Sequence, residues 1–321
     1  MARSLLEVER LGIEFNTRRG TLVAVDGISF EIEEGEVFGV VGESGAGKSL
    51  TGQAIIGLLE PPGRISSGRI YLNGKRIDQL PYEELRRIRG KKIGMIFQDP
   101  LTSLNPLYTI GKQLIETILT HLPLSHKEAR QRALKLLTEV GIPAPDKRID
   151  HYPHQFSGGM RQRVVIALAL CADPSLVIAD EPTTALDVSI QAQIIALLKR
   201  LCEEKGTAVM LITHDMGVIA EICDRVAVMY AGRLVEIGPV AQVVKFPQHP
   251  YSQGLMGSIP SLRRRVRRLT QIDGAMPRLN EIPPGCAFHP RCKHSFDRCH
   301  KERPKLVETS TTKVACWLYG N

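Results

Sequence analysis

The chain has 321 residues, 43% of them hydrophobic and 24% charged, a balance that excludes a disordered or fibrous protein and leaves room for a large domain with an accessory piece. Its longest apolar runs, such as VVIALALCA at 164–172, are about half the roughly 18 residues that cross a bilayer, and its opening MARSLLEVERLG lacks the apolar stretch of a secretory signal. The net charge of +8 is carried by the tail, where residues 261–321 hold 13 Lys and Arg against 5 Asp and Glu. The chain is therefore expected in the cytoplasm. The run Arg263, Arg264, Arg265, Arg267 and Arg268 serves either a polyanion or nothing beyond a solvated linker.

Residues 5–15 and 28–32 alternate as antiparallel strands do, and 36–41 (EVFGVV) is a continuous apolar run like a buried strand. A glycine-rich turn follows, then a helix over 49–59, the opening of a P-loop α/β domain. KIGMIF at 92–97 is a second buried strand. From about 105 to 171 the pattern turns helical, clearest over 127–140, with Pro143, Pro145 and Pro153 separating the pieces, which predicts an inserted helical subdomain. The α/β alternation resumes with a strand at 176–179, an amphipathic helix over 190–204 and a strand at 208–213. Residues 223–236 form a hairpin turning at Ala231-Gly232, and the Pro-, Arg- and Cys-rich composition after about 258 marks an appendage. The expected division is thus 1–258 and 259–321.

Gly42–Ser49 (GESGAGKS) fits G-x-x-x-x-G-K-[ST] between a strand and a helix, the context that motif requires. Glycines let backbone N–H groups reach phosphate oxygens, Lys48 reaches the β- and γ-phosphates, and the Ser49 hydroxyl suits Mg2+. LVIADE at 176–181 ends an apolar strand in two acids. Asp180 suits a Mg2+-linked carboxylate, and Glu181 suits a base that orients or deprotonates water. Ser157, Gly158 and Gly159 open a long helix, a second anion-binding helix start.

With these motifs the chain resembles the ATP-binding cassette ATPases over about residues 5–250. The order is the family's: the P-loop, Gln98 after KIGMIF, Ser157-Gly158-Gly159, Asp180-Glu181, Ala185-Leu186-Asp187, and His214 after VMLIT. Met160 stands where the family's signature usually has Gln. The resemblance implies a cassette fold with an antiparallel β subdomain and an inserted helical subdomain. It implies that Gly42, Ser44, Gly45, Ala46, Gly47, Lys48, Ser49 and Leu50 hold ATP, and that Ser49, Gln98 and Asp180 hold Mg2+. Glu181, His214 and Gln98 would act at the γ-phosphate. Ser157, Gly158 and Gly159 would clamp the ATP of a facing cassette, with Asp187 on the seam. Phe15 is either the ring that stacks on adenine or ordinary core.

A narrower resemblance rests on FQDPLTSLNP (97–106), YPHQFSGGMRQR (152–163), DEPTTALDVSIQAQI (180–194), HPYSQGL (249–255) and PPGCAFHPRC (283–292). Together they are similar to the ATPase subunits of bacterial dipeptide and oligopeptide importers. That implies two transmembrane permease subunits, a second and different ATPase as partner, an indirect substrate-binding protein, and a peripheral place on the cytoplasmic face of the inner membrane. The same subfamily also carries nickel, glutathione and antimicrobial peptides. A soluble cassette acting on nucleic acid or ribosomes is the competing class, disfavoured by the lack of a second fused cassette or long coiled-coil arms, so no nucleic-acid partner is expected.

Cys171, Cys202 and Cys223 read as small core residues. Cys286, Cys292, Cys299 and Cys316 crowd into the last 36 residues, a shared ligand set rather than disulfides in a reducing compartment. Their gaps are wider than the two to four residues of paired zinc ligands. A [4Fe–4S] cluster is favoured, also by the resemblance; Zn2+ or no metal are the alternatives, and His289, His294 and His300 are substitute ligands or surface residues. The tail lies far in sequence from every ATP motif, which points to a structural or redox role.

Overall fold

A computed structural model describes residues 4–18, 20–184, 187–257 and 272–320. The arginine run at 263–268 and the pair Ala185 and Leu186 lie outside the described residues. In chain order the strands are β1 (Ser4–Thr17), β2 (Gly20–Glu33), β3 (Val37–Val41), β4 (Gly63–Leu72), β5 (Lys75–Arg76), β6 (Ile93–Ile96), β7 (Leu176–Asp180), β8 (Ala208–Thr213), β9 (Arg225–Tyr230), β10 (Arg233–Pro239), β11 (Val307–Glu308) and β12 (Lys313–Val314). The helices are α1 (Lys48–Ile55), α2 (Tyr82–Ile88), α3 (Pro100–Ser103), α4 (Ile110–His121), α5 (His126–Glu139), α6 (Pro145–Arg148), α7 (Gly158–Leu170), α8 (Val188–Lys205), α9 (Met216–Ile222), α10 (Val240–Lys245), α11 (Pro250–Gly257) and α12 (Asp297–Lys301). Among the described residues no helix is long and apolar enough to cross a membrane.

The chain divides into two compact units. One comprises residues 1–5, 32–37 and 79–211, the other 6–31, 38–78 and 212–321. In the first, β6 runs parallel to β7 from Ile93 opposite Leu176 to Ile96 opposite Ala179, and every residue of β7, and of β8 as far as Leu211, is buried. Continuous apolar runs suit strands covered on both faces. The expected helical region is present. Thr109 caps α4, and Ser125 with Glu128 forms a full capping box at the start of α5, so local chemistry sets where these helices begin. Asp173 draws in Lys205 at 2.7 Å and Arg132, whose Nε also donates to the Cys171 carbonyl, which anchors the turn leading into β7.

In the second unit an antiparallel sheet has the order β2-β1-β4-β5, with β1 bulged between Glu9 and Gly12. The strand expected at 28–32 is the end of the much longer β2, and β4 was not foreseen at all. The helix expected over 49–59 stops at Ile55, because Gly57 takes a left-handed φ of 68° that turns the chain out of the helix. In the same unit β3 runs parallel to β9, β9 pairs antiparallel with β10, β10 with β12, and β12 with β11. The β9–β10 hairpin turns at Ala231 and Gly232 as expected, both at positive φ, which matches the twist of tight hairpins.

Candidate functional site

In the second unit β3 delivers the chain into the loop 42–47 and α1 takes it out. Gly42 and Gly47 hold φ of 155° and 97°, and a Cβ on either would meet backbone, at 2.2 Å from the Met229 oxygen and 3.0 Å from the Ala24 oxygen. Only glycine fits there. Ala46 is fully buried, and its carbonyl accepts the Gly232 N–H at 3.0 Å, so the hairpin turn supports the loop. Lys48, 5% exposed, donates from Nζ to the carbonyls of Gly42 at 2.8 Å and Glu43 at 3.0 Å. Its charge therefore sits against the backbone of the loop expected to take phosphate, in which Ser44 and Gly45 are exposed and Ser49 and Leu50 half-buried.

Phe15 lies half-buried at the end of β1 opposite Gly63, where a Cβ would come within 2.8 Å of its ring, so the close approach of the ring to Gly63 requires that position to lack a side chain. His214 is exposed between β8 and α9. The turn that presents it is fixed by Asp215, whose carboxylate accepts the N–H groups of Gly217 and Val218 while its own N–H donates to Thr213 Oγ1.

In the first unit Asp180 is buried at the end of β7. Glu181 follows with φ of 45°, an unusual conformation for a residue with a side chain. Its Oε2 accepts from Gln98 Nε2 at 3.0 Å and from Thr184 Oγ1 at 2.8 Å. Two expected site residues, Gln98 and Glu181, are thus brought into direct contact across 83 positions of sequence. Thr184 was missed; its place three residues after the acid, within reach of a carboxylate at a turn, was the available signal.

Ser157 caps α7, its Oγ accepting the Met160 N–H at 3.3 Å, with Gly158 and Gly159 as the first residues of the helix. Met160 turns its sulfur to Arg148 Nη1 at 3.1 Å, so the departure from the usual signature leaves the serine and glycines in place. Asp187 is exposed at the N-cap of α8, and its carbonyl accepts the Gln191 N–H at 2.8 Å.

Cys286, Cys292, Cys299 and Cys316 all line one narrow cavity, together with His249, His289, His294, Phe288, Phe296 and Trp317. All four are free thiols. Burial pushes Cys286 up to about 11, with the neighbouring thiols adding to it, and burial raises Cys292 and Cys316 in the same way. Among the described residues no three His, Cys, Asp or Glu side chains converge on one point as a single metal ion would require. Cys171, Cys202 and Cys223 are buried as expected, and burial pushes the first two up to about 12.

Two family models match: one described as ABC transporter over residues 25–184, the other as the C-terminal region of oligopeptide/dipeptide transporters over 235–299. The dipeptide transport ATP-binding protein DppD of Bacillus subtilis is 50% identical over 316 residues, which cover 98% of this chain and 94% of that protein. The chain belongs to the ABC transporter family. It is an ATPase subunit of the cassette type. The DppD of Escherichia coli is 46% identical over 94% of this chain and 93% of its own length. Among solved structures, the dimeric ATP-binding cassette MJ0796 bound to ADP and Pi is 30% identical with a TM-score of 0.66, covering 73% of this chain and 98% of that one. The cbiO1 cassette of Clostridium perfringens is 33% identical with a TM-score of 0.64, over 75% and 90% respectively.

Proposed function

We propose that this cassette powers import of dipeptides and oligopeptides through two permease subunits, paired head to tail with a second, different cassette on the cytoplasmic face of a bacterial inner membrane. Gly42, Ser44, Gly45, Ala46, Gly47, Lys48, Ser49 and Leu50 bind the ATP phosphates, and Phe15 stacks on adenine. Ser49, Gln98 and Asp180 hold Mg2+. The donor chemistry fits: a hydroxyl, an amide and a carboxylate each offer the oxygen a hard cation takes, and Gln98, which gives its Nε2 to Glu181, still has its amide oxygen to offer. Glu181 is the base toward water, and His214 contacts the γ-phosphate. Ser157, Gly158 and Gly159 face the partner's ATP, with Asp187 on the seam. The observation that carries the hydrolytic reading is the Glu181 carboxylate held by two donors, an aimed base rather than a free surface acid. Leu101 and Leu107, 61% and 79% exposed after Gln98, are the apolar surface offered to a permease.

The residues after 258 form a Cys-rich piece in which Cys286, Cys292, Cys299 and Cys316 hold a [4Fe–4S] cluster. Four thiols lining one cavity are the complement a four-iron core takes, one thiolate per iron. When bound, the cluster supplies a cross-link or a redox-sensitive brace for a segment short of apolar core.

The test is reconstitution of the chain with its permeases and sister cassette in liposomes, with hydrolysis measured as a peptide-loaded binding protein is added. Peptide-stimulated turnover that Lys48→Ala abolishes supports the reading. Full, concentration-independent activity of the lone chain, or stimulation by nickel and not by peptide, overturns it.

A further inference from the structure

The loop that receives the triphosphate contains an acid. Glu43 is its second residue, and a bare carboxylate there would repel the polyanion the loop exists to bind. Every polar part of Glu43 is engaged within the second unit. Its carbonyl accepts Lys48 Nζ, its N–H donates to Tyr251 Oη at 2.9 Å, and both carboxylate oxygens accept Arg291 Nη1 at 3.0 and 3.1 Å.

Arg291 is built into this place. Its side chain is 8% exposed, its Nε donates to the Asp273 carbonyl at 2.9 Å, and its Nη2 donates to the carbonyl of Gly274 at 3.2 Å. The guanidinium lies 5.8 Å from the Tyr230 ring centre and 5.9 Å from that of Phe288, which stack edge to face on each other. Tyr251, fully buried, packs on the same two rings. A guanidinium fixed by backbone carbonyls and aromatic faces has no freedom to leave, so its pairing with Glu43 is preorganised.

We infer that Arg291, supplied by the C-terminal region, is a positioning residue for nucleotide binding: it neutralises Glu43 and, with Tyr251, holds the loop residue whose carbonyl seats Lys48. The inference rests on the reading of Gly42–Ser49 as the nucleotide loop. It makes the C-terminal region part of the ATP affinity of this cassette, through a contact that spans 248 positions of sequence.

The experiment measures Mg-ATP affinity of the full chain by calorimetry, and kcat and KM in the reconstituted transporter, for Arg291→Ala, Glu43→Gln, both together, and Lys48→Ala. Arg291→Ala is expected to weaken binding about tenfold, seen as a raised KM with kcat nearly kept, as loss of uniform binding gives. Adding Glu43→Gln should bring affinity back to within about threefold of wild type, because the repelling charge is gone; a merely structural arginine would show no such rescue. Should Arg291→Ala fail to fold, Arg291→Lys, which keeps the charge but not the fork, takes its place with a smaller weakening expected. Affinity unchanged in the arginine variant, or a double variant as weak as the single, overturns the inference while Lys48→Ala still loses binding. If Lys48→Ala binds ATP normally, the loop reading itself falls.

Discussion

Glu181→Gln removes one charge and keeps the length and shape of the side chain. The left-handed backbone at φ of 45° is carried equally by both residues, so the substitution adds no strain of its own. In the native chain Oε2 accepts from Gln98 Nε2 and Thr184 Oγ1. An amide oriented with its oxygen toward these donors keeps both bonds, now neutral rather than charge-assisted, a loss of about 1 kcal/mol each at most. Stability should therefore fall by no more than about 2 kcal/mol, and Mg-ATP affinity should stay near wild type. Turnover should not. A positioned base contributes about 10²–10⁴-fold, which is about 3–5 kcal/mol of barrier. Phosphate release from the reconstituted transporter, measured beside calorimetric ATP binding, reads the two effects apart. A variant that binds ATP and retains more than about a tenth of native turnover refutes the assignment of Glu181 as the base.

Gly47→Ala forces a side chain onto φ of 97° with its Cβ 3.0 Å from the Ala24 oxygen, so it should cost about 1–3 kcal/mol in thermal unfolding and weaken ATP binding as well. Asp26 should mark the acid limb of stability. Burial pushes its carboxyl up, but Arg303 and Arg233 together outweigh this and hold it below the usual range. A depressed folded value means the stabilisation is present above the unfolded carboxylate value of about 3.9 and is lost as pH falls through the lower folded one, so Asp26→Asn should flatten the urea midpoint against pH in that window. Anaerobic purification should yield a brown protein with absorption near about 400 nm and about four irons per chain, and Cys299→Ser should lose the iron while Lys48-dependent ATP binding persists. A colourless preparation with one zinc would refute the cluster.

The nucleotide loop was legible because its chemistry is local: glycines at 42 and 47 are required where the backbone is left-handed and closely approached, and no distant residue substitutes for that. The strands β3, β7 and β8 were legible because both faces are buried, which leaves an unbroken apolar run. β4 was not. Its first half is largely exposed, it carries Ser66, Ser67 and a left-handed Gly68, and only Ile70 and Leu72 are buried, so neither alternation nor an apolar run announces it. The convergence of four cysteines on one cavity could be guessed from their density but not from their gaps. The tail is far in sequence from the ATP motifs, yet Arg291 reaches Glu43 of the nucleotide loop. Ionic and hydrogen-bond partners 248 residues apart leave no periodic trace in a single sequence.

The pairing of β10 with β12 bears on how this protein behaves when trimmed. β10 has β9 on one side and, on the other, among the described residues, the two paired positions Glu236 opposite Val314 and Ile237 opposite Lys313, with the Ala315 N–H donating to the Val235 carbonyl at 2.8 Å. β12 and β11 are two residues each and are joined by the exposed pair Lys313 and Glu308, so what they offer outward is short and charged, a poor template for another strand. A chain cut back to its family-wide portion would strip those pairings and bare the hydrogen-bonding rim of Arg233–Pro239 beside Leu234, Val235 and Ile237, which are buried in the whole chain. Such a fragment should self-associate edge to edge, and its insolubility would report the uncovered rim rather than a failure of the cassette to fold.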